Sequence, residues 1–273
     1  MSRSLSQRLE RGVKTRQHRK LKLALAWKRR FSRRGRTLFI SAMPKSGSTF
    51  LVNALCDCTG FQPQFLGYHQ LNEQDLYLPN LLDAWSRNVV AHQHTRAHAP
   101  NLDLMDRFGI RPVILTRNLF DATVSLTDHL ERESAQTPIF NAPPDFAGRE
   151  RSARLDMVID LALPWYVQFF ADWTLASRES GRELLWLPYE ELAADGAAAV
   201  ARVLQWHGLS IPETRMAAAV ESAAGARSRL NRGVAGRGQQ ELTTAQRQRI
   251  AAYCRHYPDV DYSTVGIDWG TSA

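Results

Sequence analysis

Long apolar runs are missing from this 273-residue chain. No stretch approaches the roughly 20 apolar residues that a membrane-spanning helix needs. The N-terminus lacks the apolar core of a secretory signal, and the expectation is a cytoplasmic protein. Cysteine is scarce: Cys56, Cys58 and Cys254 are an odd, sparse set that makes a poor disulfide framework. Cys56-x-Cys58 has no partner pair elsewhere and lies in an apolar stretch, which favours burial over metal ligation. Internal repeats and low-complexity tracts are also lacking. The 44% apolar content is that of an ordinary globular chain, and the length suits one large α/β domain.

Acidic residues are nearly absent from one region. Residues 1–36 hold fourteen Lys and Arg against a single acid, Glu10, a net +13. Of 35 basic and 27 acidic residues in all, 21 and 26 remain for residues 37–273, a net −5. The overall charge of +8 therefore belongs to a basic arm, 1–36, carried by a mildly acidic body. Three readings of the arm stay open. It is a solvated, partly helical extension, or it lies on an anionic membrane, with Leu21, Leu23, Leu25, Trp27 and Phe31 interleaving the charges. Nucleic acid ranks last, because the arm has no stacking platform or zinc pattern.

From Thr37 onward, short apolar runs alternate with longer helical patterns, as in a parallel sheet covered on both faces. Thr37–Met43, Asn88–His94, Arg111–Thr116 and Glu183–Leu187 read as strands, and Ser48–Thr59 and Leu119–Glu133 as helices. Ser152–Ser177 reads as one long helix kinked at Pro164. Ser134–Gly148, with three prolines and no periodicity, reads as a loop or lid. Ligands of such sheets bind beyond the carboxyl ends of the strands, where each polar motif below falls.

The first strand runs into Pro44-Lys45-Ser46-Gly47-Ser48-Thr49 and then a helix. A glycine there lets backbone N–H groups converge at a helix N-terminus, and Ser48, Thr49 and Lys45 add donors and a cation. This is a phosphate cradle, although it lacks the Gly-x4-Gly-Lys-Ser/Thr order of a Walker A loop. An ordinary strand-to-helix turn with a Ser/Thr cap is the alternative. The third strand ends in Arg117, and Ser125 follows on the next helix, four residues after Asp121. A guanidinium fork and a hydroxyl suit a second phosphate; a salt bridge from Arg117 to Asp121 or Asp128 is the structural alternative.

The Pro-Lys-Ser-Gly-Ser-Thr order resembles the 5′-phosphosulfate loop of the sulfotransferase family that uses 3′-phosphoadenosine 5′-phosphosulfate. The Arg-x7-Ser spacing resembles that family's 3′-phosphate motif. The resemblance implies a three-layer α/β sandwich of the P-loop nucleoside-triphosphate-hydrolase type, with a central, mostly parallel sheet. It implies that Lys45, Ser46, Gly47, Ser48 and Thr49 hold the 5′ end of the donor, that Arg117 and Ser125 hold the 3′-phosphate, and that Asp121 organises the motif. Phe50 matches the position that stacks on adenine, with a core aromatic as the other reading. Tyr189, in Leu187-Pro188-Tyr189-Glu190, resembles a tyrosine that approaches the adenine. Asn231-Arg232-Gly233-Val234-Ala235-Gly236 resembles the loop that closes over the 3′-phosphate, implicating Arg232 and Gly233. Asn231 departs from the family's basic residue, and Arg227, Arg229 or Arg237 are candidates to compensate.

Sulfuryl transfer to a hydroxyl or amine needs a base, in-line positioning and stabilisation of the leaving phosphate. Lys45 is the candidate for the leaving oxygen. His94 is the candidate base, where the second strand should emerge near Lys45; His92 lies deeper and His98 follows in the loop. A zinc site at these histidines is disfavoured, because no carboxylate or cysteine shares the cluster, and no metal is expected. Arg96 either orients the reacting groups or forms a surface salt bridge. Gly67–Trp85, with Tyr68, His69, Tyr77 and Trp85, and the Ser134–Gly148 loop are candidate walls for a small-molecule, glycan or lipid acceptor. No nucleic-acid partner is expected, and nothing in the sequence sets the oligomeric state. The rival readings are a P-loop small-molecule kinase and a non-catalytic nucleotide-binding or membrane-associated protein.

Overall fold

Strand β1 (Thr37–Ala42) is buried along almost its whole length, as expected of a central parallel strand with both faces covered. In the computed structural model, which describes residues 20, 23–28, 30–69, 72–133, 136–225 and 236–268, β1 pairs in parallel on both sides. Its neighbours are β3 (Val89–Gln93), with Phe39 opposite Ala91, and β4 (Pro112–Thr116), with Ile40 opposite Val113. The two-residue β2 (Gln62–Pro63) and β5 (Leu185–Pro188) complete the order β2-β3-β1-β4-β5, every pair parallel.

Period-two alternation divides the strands between two cores. Phe39, Val89, Ala91 and Ile114 face one apolar cluster, while Leu38, Ile40, Ala42, Val90, Val113, Leu115 and Leu187 face the other. The second cluster is covered by α1 (Ser48–Thr59), then, after α2 (Leu78–Ala84) and α3 (Ala99–Phe108), by helices from the C-terminal third. The first is covered by α4 (Leu119–Arg132), α5 (Arg151–Leu161) and α6 (Leu163–Ser180). The chain continues through α7 (Tyr189–Ala194), α8 (Gly196–Trp206), α9 (Glu213–Gly225), α10 (Arg237–Glu241) and α11 (Thr244–Cys254). The result is the expected three-layer α/β sandwich.

Two local expectations change. The single kinked helix over 152–177 is instead α5 and α6, broken at Ala162, with Pro164 in the first turn of α6. Proline lacks the N–H of a helix interior and clashes with the carbonyl four residues back, but it fits a first turn, where no N–H is needed. Strand β2 escapes a pattern search because it is two residues long and contains Pro63, which suits an edge. In the expected loop, 136–148 holds only a bridge between Gln136 and Asn141 and one 3-10 turn at Phe146–Gly148.

Helix α10 lies against the start of α4 at a glycine. A Cβ on Gly238 would stand 2.3 Å from the Phe120 carbonyl carbon and 2.7 Å from the Asp121 nitrogen. Gly238→Ala must therefore push two backbones apart, with an expected loss of about 1–3 kcal/mol of unfolding free energy in urea. Unchanged stability would contradict this close packing.

Candidate functional site

The loop between β1 and α1 is held by its carbonyls. His94 Nδ1 lies 2.7 Å from the Ala42 oxygen, and Ser46 Oγ donates to Met43 at 2.5 Å. The buried Tyr166 hydroxyl donates to Pro44 at 3.1 Å, and Arg117 Nη1 donates to Lys45 at 2.6 Å. Four consecutive acceptors are thus engaged by side chains from β3's exit, the loop itself, α6 and β4's exit. The amides of Gly47, Ser48, Thr49 and Phe50 begin α1, and the first helical bond is Leu51 N–H to the Gly47 carbonyl at 3.1 Å. With no side-chain cap on these amides, the turn presents donors and the positive end of the helix dipole.

Backbone conformation fits the same purpose. Gly47 sits in the left-handed region at φ 83°, and a Cβ there would come within 3.2 Å of Tyr189 and Leu192. Lys45 also has a positive φ, 64°, which is uncommon for a residue with a side chain. Ser46 is fully buried with its hydroxyl turned into the loop, Ser48 is buried and Thr49 is exposed. Phe50 is buried in the sheet-facing layer beside Gly196, the core position rather than an open stacking face.

The second motif abuts the first. Arg117 is 5% exposed, and its guanidinium lies 4.2 Å over the Tyr189 ring while it holds the Lys45 carbonyl. Tyr189 thereby fills the space between Gly47 and Arg117. Arg117 forms no salt bridge with Asp121 or Asp128 among the described residues. Its Nε is buried with no hydrogen-bond partner among them. Asn118 caps α4 by accepting from the Phe120 and Asp121 amides, and Ser125 is buried on the same helix. Asp121 accepts from Gly236 N–H and Gly238 N–H, both at 2.7 Å, and so pins the end of the C-terminal loop beside this motif. Arg232 and Gly233 lie outside the described residues. Arg237 is committed to Asp128 and Glu241.

His94 follows β3 directly. A carbonyl only accepts, so Nδ1 carries the proton that Ala42 receives and Nε2 keeps a lone pair. Burial is the main cause that drives the His94 pKa down to about 4; the neighbouring His92 and Lys45 push the same way, and the Ala42 bond opposes them. The imidazole is therefore neutral at physiological pH, with Lys45 close enough for its charge to be felt. His92 is also pushed down, by burial, while His98 is exposed, 3.7 Å from Asp172. Arg96 is bound to Asp172 at 2.6 Å, so the salt-bridge reading holds for it.

Two neighbours of His94 have no signature in the sequence. Glu73 Oε2 lies 3.7 Å from His94 Nε2, and burial raises this carboxyl to about 7. Its backbone carbonyl is held by Gln93 and Thr95, while the buried Asn101 bonds Leu76 N–H and the Gln74 carbonyl. Trp165 stands edge-on to His94, ring centroids 6.3 Å apart, and donates to Gln74 at 2.9 Å. Gln74 also reaches the Pro138 carbonyl at 3.3 Å, which links the two expected acceptor walls. Tyr68 and Tyr77 pair edge to face at 5.1 Å with Tyr68 largely exposed. Trp85, expected in the wall, instead closes the C-terminal end of α2 and is buried against Phe108 at the end of α3, where its apolar ring fills core. Among the described residues no group of three or more His, Cys, Asp or Glu is placed to hold a metal.

No protein-family model matches the chain, and no curated protein matches it by sequence. Solved structures do. Mouse sulfotransferase SULT7A1, complexed with PAP, is 16% identical, with 88% of this chain and 90% of that one covered at a TM-score of 0.62. Retinol dehydratase, in complex with androsterone and the inactive cofactor PAP, is 12% identical over 86% of this chain and 82% of its own, at a TM-score of 0.58. A sulfotransferase from Alicyclobacillus acidocaldarius is 14% identical over 86% and 97%, at a TM-score of 0.50. The chain has the fold of these sulfotransferases.

Proposed function

We propose that the protein transfers a sulfuryl group from 3′-phosphoadenosine 5′-phosphosulfate to a hydroxyl or amine of a small-molecule acceptor. The observation that carries this reading is the bond from Arg117 to the Lys45 carbonyl, 72 residues apart, which makes one body of two anion-directed motifs. A nucleotide with phosphate at both the 5′ and 3′ ends matches such a pair. In this reading the Gly47–Phe50 amides, Ser48, Thr49 and Lys45 hold the 5′ side, with Ser46 keeping the loop in shape. Arg117, Ser125, Arg232 and Gly233 hold the 3′-phosphate, with Asp121 fixing the chain just beyond them at Gly236 and Gly238. Tyr189 separates the two and borders the nucleoside. The androsterone-bound neighbour supports a small acceptor, and Trp165 standing edge-on to His94 supports one with an apolar face.

The donor supplies the activated sulfuryl group, and the protein's own residues supply position and proton management. His94 Nε2 takes the proton of the acceptor hydroxyl as the oxygen attacks. Lys45 faces the oxygen that gains charge as the bond to the 5′-phosphate breaks. Glu73, opposite Nε2, stabilises the resulting imidazolium when it is ionised. The kinase reading needs a strand-end carboxylate for magnesium; β4 leads into Arg117, and both Asp121 oxygens accept backbone amides.

Two outcomes are expected. In transfer of labelled sulfate to a panel of phenols, alcohols and amines, wild type transfers label with chelator present. His94→Ala and Lys45→Ala each fall by about 10²-fold or more, and Arg117→Ala loses donor affinity by at least tenfold in calorimetry. Magnesium-dependent nucleotide hydrolysis with no sulfuryl transfer would instead establish the kinase. In the pH profile, neutral His94 keeps the enzyme competent down to about pH 4, far below the ordinary histidine range. Rate rises as Glu73 ionises around pH 7, because its carboxylate then favours protonation of Nε2. Glu73→Gln should abolish that inflection and leave the low-pH limb; an unchanged profile would remove Glu73 from the mechanism.

A further inference from the structure

Six large apolar side chains are prominently exposed among the described residues, and three of them, Leu23, Trp27 and Phe31, fall within the basic arm. They are 62%, 60% and 68% exposed. Residues 23–28 and 30–31 are helical. A spacing of four places Leu23, Trp27 and Phe31 in a stripe along one face of the helix. Leu25 points the opposite way and is buried in the core. The described segment from Leu23 to Phe31 is therefore seated on the body by its back, with its apolar stripe outward.

The seat is specific. Gly35 N–H donates to the Trp85 carbonyl, Arg34 donates to the Gly109 carbonyl at 2.7 Å and lies over the Trp85 ring, and Arg36 reaches the Gly208 carbonyl at 3.1 Å. Around the outward stripe, Arg30 stands beside Phe31, and Arg33 follows exposed. Arg30 stands 5.9 Å from the Phe31 ring, and Trp27 and Phe31 are 5.6 Å apart. A Trp and a Phe side by side, flanked by cations, combine an apolar wedge with attraction for anionic headgroups.

We infer that the arm is a membrane-surface anchor that binds an anionic lipid bilayer, with Leu23, Trp27 and Phe31 entering the acyl boundary and the Lys and Arg residues meeting lipid phosphates. Charge complementarity identifies the partner: the arm is +13 while residues 37–273 are −5, so net attraction to anionic lipid comes from this end of the chain. The apolar stripe favours a bilayer over a nucleic acid, which has no hydrocarbon layer to accept Leu23. The arm leads into the N-terminal end of β1, whereas the Lys45 loop leaves its C-terminal end. A six-residue strand separates them by about 20 Å. The site thus opens away from the bilayer and remains accessible while the protein is anchored.

Sedimentation with large unilamellar vesicles tests this on the full chain. Wild type should pellet with phosphatidylcholine vesicles containing about 30% phosphatidylserine, release as salt rises, and stay in solution with phosphatidylcholine alone. The triple variant Leu23→Ser, Trp27→Ser, Phe31→Ser should lose at least tenfold in partitioning while its thermal unfolding matches wild type, since all three side chains are exposed. Equal partitioning of the triple variant and wild type would overturn the anchor, because charge alone would then suffice. No pelleting of wild type, or tighter binding to duplex DNA than to the anionic vesicles at the same salt, would overturn it as well.

Discussion

The hydrogen bond from Arg117 to the Lys45 carbonyl is the contact on which the candidate site depends. It takes an acceptor out of a turn whose remaining free backbone groups are donors, and it fixes the end of β4 against the end of β1. Tyr166, Ser46 and His94 engage the three preceding carbonyls in the same way. A buried carbonyl without a partner is costly, so each bond stabilises the turn and also sets its polarity. The positive φ of Lys45 and the left-handed Gly47 are tolerated because His94, Tyr166 and Arg117 hold the loop from outside and Ser46 holds it from within.

His94 has a double role in this arrangement. Its Nδ1–H completes the row of engaged carbonyls, and that same bond fixes which nitrogen is left to accept a proton. Burial keeps the ring neutral, and Glu73 faces the free nitrogen without hydrogen-bonding it directly. The polar side chains that hold this segment, Gln93, Thr95 and Asn101, are almost wholly buried. Their bonds to residues 66 and 73–76 tie the expected acceptor wall to the strand that leads into His94.

The layers were legible in the sequence because parallel strands buried on both faces are short apolar runs, and β1, β3 and β4 appear within a residue or two of where the pattern puts them. The adjacency of the Lys45 turn and Arg117 was legible because both motifs fall at the carboxyl ends of neighbouring strands. Glu73 and Trp165 were not. Glu73 lies in a segment with no periodicity, brought to His94 by side-chain hydrogen bonds, and Trp165 reads simply as part of a core helix. Trp85 misled for the converse reason: an aromatic residue near a polar segment looks the same in sequence whether it lines a pocket or fills a core. The break between α5 and α6 turned on whether Pro164 bends one helix or begins another, and tertiary packing decides that.

The central claim is that Arg117 and the Lys45 loop form one clamp for two phosphates. Calorimetric comparison of adenosine 3′,5′-bisphosphate with adenosine 5′-monophosphate on the wild-type protein tests it most directly, since the ligands differ only in the group assigned to Arg117 and Ser125. The account predicts at least tenfold tighter binding of the bisphosphate, an advantage that disappears in Arg117→Ala. Equal affinity of the two nucleotides for wild type would contradict it.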